Sequence, residues 1–295
     1  MELDPYPTEA HSGDAFSIGF FREERPSFYW VNVGVPDAFF AGVSQISNPP
    51  VVYSVRSIEY GVWFSGWLND HWQARMVIPF EANALEDAAG KTQHLTQVGD
   101  MEVATTFLLT GKRERGFFAG LDGSFRLPTG SNPFTQPFPL LSSGKGVPEE
   151  KLGLLLGQEV GGFSFFQSIH YQTSQPLTLD PATSILGPGL FQWPDELFAS
   201  GRIEWKVFQR SQRSVSLFYE LSMRSSGLMT LDQKVLTYGQ TLTTNRVLNS
   251  TFGLTVRAEK EFSAEGRLSY YPWVPFGEVP ANGLLFSLSL VFRPI

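Results

Sequence analysis

The sequence predicts an all-β protein, a single closed antiparallel transmembrane β-barrel of twelve strands. Three observations carry that prediction. Apolar residues recur with a period of two along stretches about ten residues long, so each stretch has one apolar and one polar face. The connections alternate between tight turns and long loops, which in an up-and-down meander sends every long loop to one rim. Aromatic residues gather near the expected strand ends, where interfacial girdles lie in such barrels. Fourteen strands is the alternative count.

Taken in order, the residues before 28 fit the pattern least. The stretch 16–21 reads as a short strand, but as a thirteenth it would break the even count and place the N-terminus outside. Residues 1–27 are therefore expected to be a lead-in, periplasmic or tucked into the lumen, and residues 28–295 the barrel. The first wall strand is expected near 28–41, opening on Phe28-Tyr29-Trp30. The second, near 51–64, changes phase: Val55 and Ser57 share a face on which Ile58, Tyr60 and Val62 then continue. A β-bulge near Ser57 would do this. A turn at Ser65-Gly66 leads to a strand near 67–80 that carries Trp67 and Trp72.

Strands near 100–110 and 115–127 flank a turn at 111–114, and in the latter Asp122, Ser124 and Arg126 alternate with Leu121, Gly123 and Phe125. Strands near 150–159 and 162–174 meet at Val160-Gly161. Near 197–209, Leu197, Ala199, Gly201, Ile203, Trp205 and Val207 alternate with Ser200, Arg202, Glu204 and Lys206. Past a turn at Ser211-Gln212, Val215, Leu217, Tyr219, Leu221 and Met223 alternate with Ser214, Ser216, Glu220 and Ser222 over 213–224. Strands near 247–258 and 261–271 turn at Lys260, the second running into Tyr270-Tyr271-Pro272-Trp273. The last, near 283–293, sets Leu284, Phe286, Leu288, Leu290 and Phe292 against Ser287 and Ser289. Long loops at 42–50, 81–99, 128–149, 175–196, 225–246 and 272–282 share one rim, and both termini lie at the other.

A soluble sandwich or cavity barrel also alternates, but a soluble barrel of twelve long strands would enclose a lumen too wide for its inward apolar side chains to fill. Charged residues are only 17% of the 295-residue chain, and the hydrophobic share of 42% is rich in Phe (26), which favours strands. The uncharged stretch 127–144 is broken by prolines, so no helical membrane span is expected. The absence of cysteine excludes disulfides and thiolate chemistry. A net charge of −7 argues against a nucleic-acid partner. The first residues lack the basic and apolar regions of a signal peptide, so for an outer-membrane protein that peptide is expected to have been removed already.

Residues 98–131 form a strand, a turn and a second strand ending Leu127-Pro128-Thr129-Gly130. Pro128 ends ladder pairing because it lacks an N–H, and Gly130 lets the chain turn away from the rim. This hairpin resembles the outer-membrane barrel family associated with the meta-cleavage pathway of phenol degradation. Gly99-Asp100-Met101 matches that family's Gly-Asp-aliphatic strand opening, 127–130 its Leu-Pro-Thr-Gly, and Pro79-Phe80 its Pro-aromatic strand end. Met101 departs from the usual leucine, and the chain ends Phe292-Arg293-Pro294-Ile295 where a terminal aromatic is usual. The resemblance implies a channel-like or transport role and supplies no catalytic residues.

The strand phase directs Leu217, Tyr219, Leu221, Leu254, Leu288 and Leu290 to lipid. It directs Arg75, Glu102, Asp122, Arg126, Arg202, Glu204, Lys206, Glu220, Arg257, Glu265 and Arg267 to the lumen. Charges of both signs inside a membrane normally pair, so the plain reading is a salt-bridged interior, and the functional one a constriction that filters solutes. The densest group is Arg202, Glu204, Lys206 and Glu220, expected near mid-barrel. Phe118, Phe166, Phe198 and Phe218 also point inward and would fill the lumen or guide an aromatic or apolar solute. His71 and His170 are expected in the lumen, away from membrane lipid, and GxSxG, HExxH, P-loop and EF-hand motifs are absent. No enzyme, cofactor or metal is expected.

The reading is a channel or transporter of the Gram-negative outer membrane for passive, selective passage of small solutes. The competing reading is a plugged barrel that anchors a partner or displays its loops, and an outer-membrane lipid hydrolase ranks behind both. Expected partners are outer-membrane lipid, a small solute and the barrel-assembly machinery. The loop at 128–149 could fold inward as a constriction or outward as a recognition surface.

Overall fold

The computed structural model describes residues 16–24, 28–31, 52–86, 90–110, 116–134, 142–180, 188–210, 213–227, 230–235, 245–258, 262–273, 278–280 and 284–292. The strands in chain order begin with β1 (Phe16–Glu24), β2 (Phe28–Val31), β3 (Val52–Trp67), β4 (Trp72–Glu86), β5 (Thr92–Val98), β6 (Met101–Leu108) and β7 (Phe117–Leu127). They continue with β8 (Glu149–Val160), β9 (Phe163–Ser174), β10 (Leu177–Leu179), β11 (Gly189–Gln192), β12 (Glu196–Arg210) and β13 (Arg213–Ser226). Last come β14 (Thr230–Leu231), β15 (Lys234–Val235), β16 (Asn245–Arg257), β17 (Phe262–Trp273), β18 (Glu278–Pro280) and β19 (Leu284–Phe292).

Twelve of these close into an antiparallel barrel in the cyclic order β1-β3-β4-β6-β7-β8-β9-β12-β13-β16-β17-β19. The ring closes where β1 pairs with β19, Ile18 opposite Phe292, and with β3, Phe16 opposite Gly66. Wall strands meet at short connections around 68–71, 109–116, 161–162, 211–212 and 258–261, and at longer ones at the opposite rim. Phe16 and Phe292 both lie at the short-turn rim.

Two sequence expectations are corrected here. The first wall strand is β1, so residues 16–24 belong to the barrel and not to a lead-in. Their alternation explains it: Ser17, Gly19 and Phe21 are buried while Phe16 and Phe20 are exposed. The even count survives because Phe28–Val31 is no wall strand. It pairs with the upper part of β3 and with β18, and the rest of the expected 28–41 strand, like residues 1–15, lies outside the described residues. The bulge near Ser57 is not there. The β3–β4 register runs unbroken from Ser54 opposite Glu86 to Trp67 opposite Gln73, and register shifts fall instead at Lys206/Phe208 and Leu248/Ser250.

β4 changes partner partway, pairing with β6 over its first half and with β5 over its second. Pro79 stands at that change. Having no N–H to donate, it fits where the ladder is interrupted, and its carbonyl accepts from Gly99 at 2.8 Å. β18, β2, β3, β4 and β5 thereby extend one side of the wall beyond the long-loop rim.

Outward positions of the wall are large and apolar: Leu152, Leu154 and Leu156 on β8, Phe163, Phe165 and Ile169 on β9, Leu217, Tyr219 and Leu221 on β13, Leu288 and Leu290 on β19 are all exposed. So wide a continuous apolar surface needs a bilayer to cover it. Inward positions are buried or half-buried. In places a ring lies flat over a glycine of the next strand: a Cβ on Gly253 would sit 2.0 Å from the Phe218 ring, and one on Gly153 2.0 Å from His170. Only glycine allows so close an approach.

The long connections are structured too. β10, β11, β14 and β15, drawn from the loops after β9 and β13, form a second small sheet. Phe134, from the loop after β7, packs with Leu179 and the wholly buried Phe191 against Leu177, Trp193 and Leu231. Three loops thus share one apolar core at the long-loop rim.

Candidate functional site: the barrel lumen

The inward face carries two groups of ion pairs, because strand phase brings alternate residues of neighbouring strands onto one surface. The first lies at the long-loop mouth. Arg126 of β7 reaches Glu102 of β6 at 3.2 Å and Glu149 of β8 at 3.0 Å. Lys151 stands 3.9 Å from Glu102. Gln172 donates to Glu149 at 2.8 Å, and Lys145, from the loop before β8, pairs with Glu149 and lies 3.8 Å from Glu196. Arg224 of β13 closes on Glu196 from the other side.

The second group is deeper. Arg202 of β12 is 1% exposed and donates to Glu204 at 2.9 Å and to Glu265 of β17 at 3.1 Å. Two strands lie between β12 and β17 in the wall, so the second bond runs through the interior and not along the ladder. Arg267 pairs with Glu265 and stands 3.7 Å from Glu220, and Thr255 donates to Glu265 at 3.0 Å. The Arg202 guanidinium rests 3.6 Å from the Phe218 ring centroid, with Arg267 at 5.6 Å, a cation–π stack.

The remaining expected residues are placed as follows. Asp122 is buried, accepts from Thr106 at 2.6 Å and lies 3.4 Å from His170, which is itself buried. Arg75 is half-buried on β4, near enough to Glu102 and Asp122 to interact with both. Arg257 is half-buried at the short-turn end of β16. Lys206 is not at mid-barrel. It lies by the β8–β9 turn, its amide donating to Gly162 at 3.0 Å, and lines a cleft of about 400 Å³ with Gly116, Glu159 and Phe163. It directly follows Trp205, whose partner Phe163 opens β9, and this places it at the short-turn end. His71 also departs from expectation: it is exposed in the β3–β4 turn, bonded to the Leu108 carbonyl at 2.6 Å.

The inward phenylalanines do not form a continuous track. Phe118 and Phe166 are locked with Leu108 and Leu155 into a buried cluster against Trp67, towards the short-turn end. Phe218 lies under Arg202, and Phe198 faces Arg224 at 5.5 Å. Towards the short-turn end the lumen therefore carries an apolar patch on β6–β9, and Phe166 of that patch stands beside Arg202 across the β9–β12 ladder.

Sequence reasoning missed Glu149, Lys151, Glu196 and Lys145. Period-two phase could have found Lys151, which alternates with the outward Leu152, Leu154 and Leu156. Lys145 sits in a loop with no period to read.

The two resemblance motifs meet in space. The Asp100 carboxylate accepts from the Gly130 and Lys145 amides at 2.8 and 2.9 Å, and the Thr129 hydroxyl donates to the Gly99 carbonyl at 2.8 Å. Thr129 Oγ1 also accepts from the Met101 amide at 2.9 Å. Burial pushes the Asp100 carboxyl above its ordinary range, partly offset by those two amides. The clasp fixes where the chain leaves β7.

No family model and no curated protein matches the chain. Among solved structures, it is similar to the COG4313 outer membrane channel from Pseudomonas putida F1, at 12% identity and a TM-score of 0.69, covering 99% of both chains. It is also similar to the transport unit of the autotransporter AIDA-I from Escherichia coli (12% identity, TM-score 0.53, 100% of this chain and 93% of that one). The translocator domain of autotransporter NalP from Neisseria meningitidis follows at 11% identity and a TM-score of 0.51, with 97% and 90% covered. The shared feature is the fold of outer-membrane β-barrels.

Proposed function

We propose that the protein is a narrow, selective channel of the Gram-negative outer membrane, for passive passage of small solutes. The carrying observation is the lumen itself: inside a closed, lipid-facing barrel, ion pairs line the path at two levels. Such pairs hold water and present fields of both signs to a passing solute. Outer-membrane lipid covers the apolar belt, and the barrel-assembly machinery inserts it. The apolar patch of Leu108, Phe118, Leu155 and Phe166, beside Arg202 and its partner Glu265, suits solutes with an aromatic or apolar part. The motif resemblance to barrels of the phenol meta-cleavage pathway and the fold shared with the Pseudomonas putida channel support the same reading.

A second reading, a plugged barrel that displays its loops or anchors a partner, is favoured by the close burial of that apolar cluster and by the loop core around Phe191. Planar-bilayer recording of the purified barrel separates the two. Discrete ohmic steps, smaller than those of the wider barrels of about 16 to 18 strands, are expected of a channel. Silence across the voltage range refutes it and supports the plug.

A further inference from the structure

The loop between β7 and β8 makes contacts on both sides of the long-loop mouth. Asn83, inward on β4, donates to the Ser142 carbonyl at 3.3 Å, and the Ser143 hydroxyl donates to the Val98 carbonyl at 2.6 Å. Three residues on, the Lys145 carbonyl accepts from the Trp193 indole at 3.2 Å, while its ammonium lies between Glu149 and Glu196. Glu196 opens β12, five strand steps from β4 in a ring of twelve. Five steps of wall are roughly 24 Å at about 4.8 Å each, whereas four extended residues reach at most about 14 Å. The Asn83, Lys145 and Glu196 side chains make up the difference, so the segment bridges strands that, five steps apart in a ring of twelve, stand nearly opposite each other across the mouth.

The bridge is built to hold. Ser143 and Val147 are buried although they lie in a loop. The Lys145 amide is fixed by Asp100, and a Cβ on Gly144 would stand 2.4 Å from the Asp100 carboxylate, so glycine there lets the clasp close.

We propose that residues 142–147 form a fixed crossbar over the long-loop mouth, and that Lys145 is the specificity-determining charge there, taking the anionic part of an entering solute. Its side chain is 24% exposed, enough to meet a solute, and its position is set from two sides by Glu149 and Glu196. Arg202 and Arg267 lie beyond it along the path.

The role of Lys145 rests on the channel reading; the crossbar does not. Since the chain has no cysteine, Asn83→Cys with Ser142→Cys creates one thiol pair. A short bis-maleimide should join it in the folded barrel, read by mass and gel mobility. Failure to cross-link overturns the crossbar whatever the bilayer shows. In a KCl gradient, Lys145→Glu should raise the potassium-to-chloride permeability ratio at least about threefold, because the reversed charge acts within a Debye length of every ion that enters. Lys145→Arg should leave the ratio unchanged. Lys91→Glu, the same charge change at an exposed site on the β4–β5 connection, should also leave it unchanged. No shift at Lys145, or an equal one at Lys91, overturns the assignment. A wild type that cross-links but passes no current overturns the channel reading and the filter together, and leaves the crossbar standing as part of a plug.

Discussion

Leu154 offers a graded test of the membrane reading. It is the sixth of twelve residues in β8, 55% exposed, between Leu121 on β7 and Ile169 on β9, which are also exposed. A strand tilted by about 45° climbs roughly 2.3 Å per residue, so an apolar band about 25 Å tall covers about ten residues and Leu154 falls near its middle. Leu154→Arg should then cost about 2–4 kcal/mol, while Val160→Arg, roughly 14 Å lower at the short-turn interface, should cost about 0–1 kcal/mol. The neighbouring Leu155 is 1% exposed and packs inward with Leu108, Phe118 and Phe166. Leu155→Ala should cost about 2–5 kcal/mol by leaving a cavity. The assay is reversible unfolding in phospholipid vesicles by guanidinium titration, followed by tryptophan fluorescence. On a water-facing surface Leu154→Arg would stay within about 0.5 kcal/mol. That result, or equal costs at Leu154 and Val160, would refute the bilayer assignment of this face.

Four further substitutions have expected outcomes. Gly253→Ala should destabilise by about 1–3 kcal/mol, because its Cβ would meet the Phe218 ring and push it from beneath Arg202. Gly266→Ala, where a Cβ meets nothing within 4 Å, should be neutral or slightly stabilising in the same titration. Arg202→Ala should cost about 3–5 kcal/mol, since Glu204 and Glu265 are left buried without their shared cation. If the barrel still conducts, its ion preference should move towards cations. Asp100→Ala should orphan the Gly130 and Lys145 amides, cost about 1–3 kcal/mol, and open the Lys145–Gly146 bond to trypsin in limited proteolysis.

The wall was legible because its signal is local. Leu217, Tyr219 and Leu221 alternate with Ser216, Phe218 and Glu220 within a few residues, and one face of such a run must meet lipid while the other meets the lumen. The same rule places Arg202, Glu204, Glu265 and Arg267 on inner faces, but it cannot say that Arg202 bonds to Glu265 two strands beyond its neighbour. That contact depends on barrel curvature and side-chain reach. The start of the barrel misled for a related reason. Phe28-Tyr29-Trp30 has the composition of a girdle, and the alternation at 16–21 reads as a strand only six residues long, so counting favoured the wrong segment. What decides the matter is pairing: β1 supplies both edges that β3 and β19 need for closure, and edge satisfaction is invisible to periodicity.

The loops carry the part of the molecule that periodicity cannot reach, and they also carry its tightest polar construction. Gly99-Asp100 and Thr129-Gly130 stand out in the sequence as turn chemistry, each explicable by itself. Their joint meaning comes from β5 and β6 being one descending strand interrupted at Gly99, opposite Pro79. The interruption frees the Asp100 carboxylate to face the departing loop instead of a ladder partner. From that single irregularity follow the capture of the Lys145 amide, the course of residues 142–147 across the mouth, and the placing of an ammonium between Glu149 and Glu196. A regular hairpin at 72–108 would leave Asp100 no loop to hold and Lys145 no fixed seat, so the selectivity proposed for the mouth traces back to a proline and a glycine in the wall.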